Sequence, residues 1–252
     1  MFAIIDGSRW KKIVIASDNH GEKICPATEQ VLFDFIGYWK PHLRVHLGDF
    51  MDLNALRLGA SRDECADSMR EDIKVGVEFL VKFRPDVLTE GNHDWRLKRE
   101  LNSKDPIRRE WCEDRLKEIL QALKPIKTQV FGWGVKKGVY TIAGQKMLHG
   151  YANGAMSATR TSGQKFGACV HGHNHSADIM YLDTYDGQGR FAQSCPSMCD
   201  NDNMDYQLGQ AAAFKHVSGF ALGLADMKKN TYYCGNVVKT VSGFAVMEPK
   251  VI

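Results

Sequence analysis

No stretch of this 252-residue sequence approaches the roughly 20 consecutive apolar residues that a membrane-spanning helix needs, so no membrane association is expected. Charge of one sign is also missing. Lys and Arg number 33 against 30 Asp and Glu, and the resulting +3 is well short of the bias of a dedicated nucleic-acid module. Paired cysteines are absent too: Cys25, Cys65, Cys112, Cys169, Cys195, Cys199 and Cys234 are odd in number and scattered, which excludes a disulfide framework and points to a reducing compartment. Cys195 and Cys199 are separated by Pro-Ser-Met, not by the two residues of a zinc or redox pair. The opening residues Met1 to Asp6 turn polar too soon for a signal peptide, and the expected location is the cytoplasm. With no repeat, low-complexity block or proline-rich linker, one domain over residues 1–252 is the economical expectation. A chain of this size buries a core without disulfides or a partner subunit.

What is present is a succession of short apolar runs that each end in a polar cluster. Lys12 to Ala16 is a β-branched strand ending in Ser-Asp-Asn-His-Gly. A helix is expected from Pro26 to Lys40, a strand from Leu43 to Leu47, and a helix of period 3.6 from Asp63 to Phe83 through Met69, Ile73, Val77 and Leu80. Asp86 to Thr89 is a third strand, followed by charged helices over 94–101 and 106–123. The second half alternates and is punctuated by glycine. Strands are expected between Thr128 and His149, a helix from Asn153 to Lys165, and a strand from Ala168 to His171. A hairpin over 178–191 should turn at Asp186-Gly187-Gln188-Gly189, with two further strands near 218–226 and 231–239. This is βαβ-like at the front and mostly β at the back, an α/β protein with helices over packed sheets. In such folds ligands bind beyond the carboxyl ends of strands, where these polar clusters lie.

Five of the clusters carry chemistry: Asp18-Asn19-His20-Gly21, Gly48-Asp49-Phe50-Met51-Asp52, Gly91-Asn92-His93-Asp94, His149-Gly150 and Gly172-His173-Asn174-His175. They offer carboxylate and amide oxygens with imidazole nitrogens, a donor set for Mn²⁺, Fe or Zn²⁺ and not for a thiolate site. The glycines allow sharp backbone turns, so that short side chains converge.

In this order the blocks resemble the signature of the calcineurin-like metallophosphoesterases: D-x-H, G-D-x-x-D, G-N-H-[DE], an isolated H, then G-H-x-H. The match runs from Asp18 to His175, about two thirds of the chain, and the segment after His175 adds no motif. The resemblance implies two packed mixed β-sheets flanked by helices, an αββα sandwich, in a compact member without a cap, of bacterial or phage type. It implies two divalent transition-metal ions, Mn²⁺ foremost, with Fe, Zn²⁺, Ni²⁺ or Co²⁺ as alternatives. The first would be held by Asp18, His20, Asp49 and His175, and the second by Asp49, Asn92, His149 and His173. A metal-bridging hydroxide would attack phosphorus, His93 would protonate the leaving group, and Asp52 would orient His93. Asp94 is read as a loop brace. Two carboxylates and a hydroxide leave two divalent ions net positive, which suits an anionic phosphate ester.

The substrate is less defined. Protein Ser/Thr phosphatases of this superfamily carry an arginine after the second aspartate of G-D-x-V-D-R-G, whereas Leu53-Asn54 follows Asp52 here. That favours a phosphodiester, of a nucleotide or nucleic acid, over a phosphoprotein. Arg57 is the one nearby replacement for the missing arginine, Tyr151 a candidate substrate contact, and Arg96 opens a basic stretch, with Trp95 and then Arg108, Arg109 and Trp111, that could steer a polynucleotide. A solvated helix face with interleaved Glu100, Asp105, Glu110, Glu113 and Asp114 is the simpler explanation of that stretch. A phosphomonoesterase and a metal-binding module without turnover remain the alternatives. His42, His46, His171 and His216 fit no block and are read as structural.

Overall fold

The computed structural model describes residues 9–66, 68–154, 157–182, 190–201 and 216–247. Its organising element is β1 (Trp10–Ala16), whose last four residues are fully buried and alternate between two cores. Val14 and Ala16 pack against Leu32, Phe35 and Ile36 of α1 (Pro26–Trp39) and Phe79, Leu80 and Phe83 of α2 (Met69–Phe83). Ile13 and Ile15 face the other way, against Met147 and Val170 of a second sheet. A strand buried on both faces reads as a continuous apolar run, which is why Ile13 to Ala16 stands out in the sequence.

Beside β1 lie β2 (Leu43–His46), β3 (Val87–Thr89) and β4 (Gln129–Phe131), each parallel to its neighbour. On the other side of β1 run β10 (Gly219–Asp226), β11 (Thr231–Thr240) and β12 (Gly243–Met247), all antiparallel, which completes a seven-stranded sheet. The second sheet has five strands: β5 (Tyr140–Ile142), β6 (Gln145–Leu148), β7 (Cys169–His171), β9 (Arg190–Ser194) and β8 (Ile179–Leu182), in that spatial order. Helices α1 and α2, with α3 (Asn92–Arg99) and α4 (Pro106–Leu123), cover the outer face of the larger sheet. Next to the outer face of the smaller sheet lies α5 (Ser157–Phe166), whose Phe166 packs on Leu148, Cys169 and Ala192. The result is the four-layer α/β arrangement of two mixed sheets between helices. No helix among the described residues is long and apolar enough to cross a membrane.

Three boundaries differ from the sequence expectation. Helix α2 begins at Met69, where Ser68 accepts the Glu71 N–H; residues 64–66 form a separate 3₁₀ turn in place of a continuous helix from Asp63. Helix α3 begins at Asn92 instead of Asp94, so the third polar block is itself a helical first turn. Helix α5 starts at Ser157, four residues later than expected, and β12 was not anticipated. Strands β8 and β9 form the expected antiparallel pair, while its turn at 186–189 lies outside the described residues.

Strand β10 tolerates no side chain at Gly223. A Cβ there would lie 2.1 Å from the Tyr232 hydroxyl and 2.4 Å from its ring carbons. Tyr232 is buried between the sheets, with little room to retreat. Gly223→Ala is therefore expected to destabilise the protein by about 1–3 kcal/mol, the usual cost of overpacking. A urea midpoint equal to that of the parent would show that the ring moves aside freely.

Candidate metal centre

Each polar block follows the carboxyl end of a strand. Asp18 and His20 follow β1, Asp49 and Asp52 follow β2, and Asn92 and His93 follow β3, while His149 and then His173 and His175 follow β6 and β7. The first three strands are neighbours in the large sheet and the last two in the small one, so the blocks meet where the ends of two packed sheets converge. The turns are sharp, but glycine does not make most of them. Asp18, His20, Asp49, His173 and His175 have positive φ values of 55°, 48°, 51°, 75° and 52°. Left-handed backbone costs an L-residue about 1–2 kcal/mol, and it persists only where tertiary structure over-determines it.

Two groups of side chains converge, Asp18 with His20 and His175, and Asp49 with His149 and His173. In each, one carboxylate oxygen is fixed by a backbone amide of another loop: Asp18 Oδ2 accepts from His173 N–H at 3.0 Å, Asp49 Oδ1 from His93 N–H at 2.8 Å. The other oxygen faces the imidazoles. Asp49 Oδ2 is 3.1 Å from His149 Nε2, and Asp18 Oδ1 is buried with no hydrogen-bond partner. Asn92 Oδ1 joins the second group, 3.0 Å from His149 Nε2.

The outward nitrogen of every one of these four imidazoles meets an oxygen. His20 Nδ1 lies 3.1 Å from Asp52 Oδ1, His149 Nδ1 2.7 Å from the Leu47 carbonyl, His173 Nε2 2.9 Å from Asn153 Oδ1, and His175 Nδ1 3.3 Å from Asn201 Oδ1. An oxygen acceptor fixes the proton on the outward nitrogen and turns the inward lone pair to the centre. The inward nitrogens then face each other in pairs, His20 Nε2 to His175 Nε2 and His149 Nε2 to His173 Nδ1, both at 3.2 Å. Two lone pairs at that distance repel unless a positive charge lies between them.

The electrostatics agree. Burial opposes charge on His149, yet the adjacent Asp49 carboxylate outweighs it and pushes the imidazole up to about 9. Its partner His173 is pushed down to about 3, by burial and then by the His149 charge. In the other pair burial is outweighed at His175, which Cys199 and Asp18 raise, and prevails at His20, which is lowered. Each pair thus draws one positive charge into buried space. Four imidazoles, two carboxylates and an amide oxygen fit two divalent cations.

A third convergence, His20 with Asp52 and His93, differs in kind. Asp52 has no oxygen to spare: Oδ1 meets His20 Nδ1 at 3.1 Å and His93 Nδ1 at 2.9 Å, while Oδ2 takes Lys23 Nζ and Asn54 Nδ2, both at 2.7 Å. A carboxylate so saturated with donors orients rings and does not hold a metal.

The remaining candidates from the sequence divide sharply. Arg96 is buried beside His93, with Nη2 3.1 Å from His93 Nε2 and Nη1 donating to the Asp52 carbonyl at 2.8 Å. Arg57 instead forks the Glu64 carboxylate on the surface. Tyr151 packs on Trp133 with ring centroids 4.6 Å apart. The basic stretch is engaged within the fold: Lys98 pairs with Glu90, Arg99 and Arg108 share Glu100, and Arg109 donates to the Ser103 carbonyl. His46 bridges the first two blocks, between Asn19 Oδ1 and Gly48 N–H, and His171 rests on the Gly172 carbonyl and Thr159. His42 accepts the Lys12 N–H at the surface, and His216 packs 5.0 Å from the His175 ring. Sequence reasoning missed Lys23, Asn153, Cys199 and Asn201, which belong to no block, and also Trp133, whose ring centroid lies 5.6 Å from that of His149. Glycines on both sides and Lys136-Lys137 just beyond were its only local signal.

Two of the motif glycines are required for space instead of turning. Gly91 has φ −96°, open to any residue, but a Cβ there would lie 2.0 Å from Asp49 Oδ1 and 2.6 Å from its amide nitrogen. Gly172 likewise presses on Ser17 and Asp18, where a Cβ would lie 2.0 Å from Ser17 Oγ. Gly91→Ala should therefore displace the Asp49 carboxylate while leaving both sheets folded. The expected result is a metal content reduced by at least about tenfold at equal metal concentration, the scale of effects on ligand-supporting residues, with an unchanged far-UV spectrum. Full loading by elemental analysis would show that Asp49 keeps its place.

Residues 11–194 match the family of calcineurin-like phosphoesterases. Among solved structures, vacuolar protein sorting 29 from Cryptosporidium parvum aligns with a TM-score of 0.47 and 10% identity, covering 96% of this chain and 100% of that one. A single mutant of Vps29 from Entamoeba histolytica aligns with a TM-score of 0.45 and 11% identity, over 93% and 96% of the two chains. YfcE, a phosphoesterase from E. coli, aligns with a TM-score of 0.38 and 17% identity, over 88% and 96%. No protein of curated function matches the chain significantly. With the match spanning well over half of its length and every polar block within it, this chain belongs to the calcineurin-like phosphoesterase family.

Proposed function

We propose that this protein hydrolyses phosphate esters, diesters in preference to monoesters, at a centre of two divalent metal ions, Mn²⁺ foremost. The observation that carries the reading is the pair of facing imidazole couples, each with its outward nitrogens tied off and a carboxylate alongside. Asp18, His20, Asp49 and His175 would hold one ion, and Asp49, Asn92, His149 and His173 the other. Bound there, the ions would supply Lewis acidity toward the phosphoryl oxygens and toward a water molecule.

The rest is the work of the chain's own groups. Only Asp18 and Asp49 among the seven ligands are anionic, so the loaded centre stays positive and attracts a phosphate ester. The Asp52 carboxylate and backbone carbonyl accept from His93 Nδ1 and fix the ring, with Nε2 on the side of the ligand groups, 3.9 Å from Asp49 Oδ2. As an imidazolium, with a second proton on Nε2, His93 gives that proton to the leaving alkoxide as the bond from phosphorus breaks, and the freed lone pair then accepts from Arg96 Nη2. Arg96, 3.1 Å from that nitrogen, adds a guanidinium beside the departing oxygen. The preference for a diester rests on Arg57. The replacement for the arginine missing after Asp52 is engaged by Glu64, so one cation fewer meets the extra charge of a monoester.

A substrate panel with metal-reconstituted protein tests this: nitrophenyl mono- and diesters, cyclic nucleotide, phosphoserine peptide and DNA. Faster turnover of the diester than of the phosphopeptide is expected, with loss of both in chelator. A clear preference for the peptide would reverse the assignment, and activity that survives complete metal removal would end it.

His93→Ala separates acid from ligand. Metal content should stay at the parent level, while turnover of esters with alkoxide leaving groups falls about 10²–10⁴-fold, the range for a lost proton donor. Nitrophenolate leaves with little help, so its esters should lose visibly less. An equal loss across leaving groups, or release of a metal ion, would show that His93 has another role.

A further inference from the structure

Trp133 is the one large aromatic at the centre that no core accounts for. It is half-buried, yet it belongs to none of the three apolar clusters among the described residues, unlike Trp39 and Trp111. It stands in the loop after β4, and its backbone N–H is tied to Glu90 Oε2 at 3.2 Å, directly before the Gly91 block. Its ring lies edge-on to His149 at 5.6 Å, and Tyr151 leans on it at 4.6 Å with the planes tilted by 43°. Tyr151 is in turn held by Phe166, 6.0 Å away, so the pair has a fixed backing. Lys136 and Lys137 are exposed in the same loop, three and four residues after the indole. On the His173 side the exposed Asn153 borders the second ligand group.

We infer that Trp133 and Tyr151 form a stacking subsite for the nucleobase of a nucleoside phosphodiester, so that the substrate class is nucleotide. The inference rests on the phosphoester reading above and deepens it. Because the indole touches the buried His149 ring, a base stacked on it lies beside the second ligand group, within reach of a phosphate held there. Stacking accepts any base, because every base has a π-face, and the two lysines favour a further phosphate without fixing a sequence. Of the two tryptophans of the basic stretch that the sequence offered for nucleic acid, Trp95 instead lines an apolar cavity of about 290 Å³ with Leu101, Ile119 and Leu120, and Trp111 packs against the core.

The test compares kcat/KM of metal-loaded protein on a 2′,3′-cyclic mononucleotide and a single-stranded oligonucleotide with that on glycerophosphoethanolamine, a diester without an aromatic ring. The parent should favour the base-bearing substrates, and Trp133→Ala should reduce that ratio about tenfold or more, mainly through KM. Trp133→Phe should restore most of it, and Trp95→Ala should leave it unchanged. Dependence on Trp133 with the mononucleotide identifies small nucleotides as the source of the base; dependence only with the oligonucleotide identifies nucleic acid. Should Trp133→Ala fold poorly, Trp133→Leu keeps apolar bulk without the π-face and should show the same loss. Binding of adenosine monophosphate relative to inorganic phosphate, by calorimetry, reads the stack without turnover, so a failure of hydrolysis is told apart from a failure of stacking. An equal fall on all three diesters, or a parent with no preference for a base in either assay, overturns the subsite.

Discussion

The loop that joins the two ligand groups hangs by its own backbone from two buried carboxylates. The N–H groups of Asp49, Phe50 and Met51 donate to Asp94, and those of Asp52 and Leu53 to Asp72. Five consecutive amides are thus satisfied by two side chains, each in the first turns of a helix that packs behind the loop. A buried amide without a partner costs about 1–3 kcal/mol, so the loop has one conformation that loses nothing and many that lose several such terms. Asp49 and Asp52 point where they do because their backbone has nowhere else to go. The arrangement is not free. Burial pushes Asp72 up to about 6, from the 3.8 of an exposed aspartate, and burial with the Asp49 charge pushes Asp94 well above its usual range. A carboxyl whose folded value is raised contributes its full stability only below the unfolded value, and loses it as pH rises through the folded one. At neutral pH the Asp72 brace therefore lowers stability in exchange for a rigid loop.

The same trade explains the left-handed residues. A short aspartate or histidine that leaves a strand at positive φ projects back over the strand end instead of along it, and five of the converging residues do so. Aspartate and histidine tolerate that region better than most side chains, but the strain still has to be held. The two carboxylates hold it reciprocally across loops, Asp18 through the His173 amide and Asp49 through the His93 amide. Gly172 and Gly91 precede or begin the donor segments and leave the gap through which these carboxylates approach. Motif glycines usually read as hinges; here two of them are clearances.

Much of the fold was legible because β1 and α4 obey local rules. An apolar β-branched run is a strand buried on both faces, and Asp105-Pro106 is a helix start in which Asp105 caps the Ile107 and Arg108 amides. The five blocks were legible for the same reason, being short and each ending a strand. What could not be read is everything that depends on distant pairing. Nothing in Gly219 to Asp226 says that it inserts beside β1 and not at an edge, because register is set by packing between sheets. Asp72 looks like one more acidic residue near a helix start, and Trp133 like a loop aromatic. Their partners are 19 and 20 residues away for Asp72, and come from a different sheet for Trp133. The helix start at Asn92 was missed because Glu90 to His93 reads as a break between strand and helix, when the extended backbone of Gly91 lets the next helix begin at once.

The part of the chain beyond the last motif residue then acquires a reason. Residues 195–201 run beneath the first ligand group as a floor: Cys195 N–H reaches the His171 carbonyl at 2.7 Å, Met198 N–H that of Ser17 at 2.8 Å, and Cys199 N–H that of Asp18 at 3.1 Å. From this floor Asn201 Oδ1 meets His175 Nδ1, with the Cys199 thiol 3.7 Å from the same nitrogen. Asn201 is itself held by Ser197 and Ser218, and Ser218 also caps the Cys199 carbonyl. The four outward imidazole nitrogens are therefore anchored in three different segments: Leu47 and Asp52 in the loop after β2, Asn153 before α5, and Asn201 in the floor. The candidate site draws its bracing from both sheets and from Ser218, next to the strand between β1 and β11. Anything that binds the folded arrangement and not the unfolded chain stabilises all of it at once. Ligand geometry and global fold are one cooperative unit here, which is why residues with no motif of their own decide how the motif residues stand.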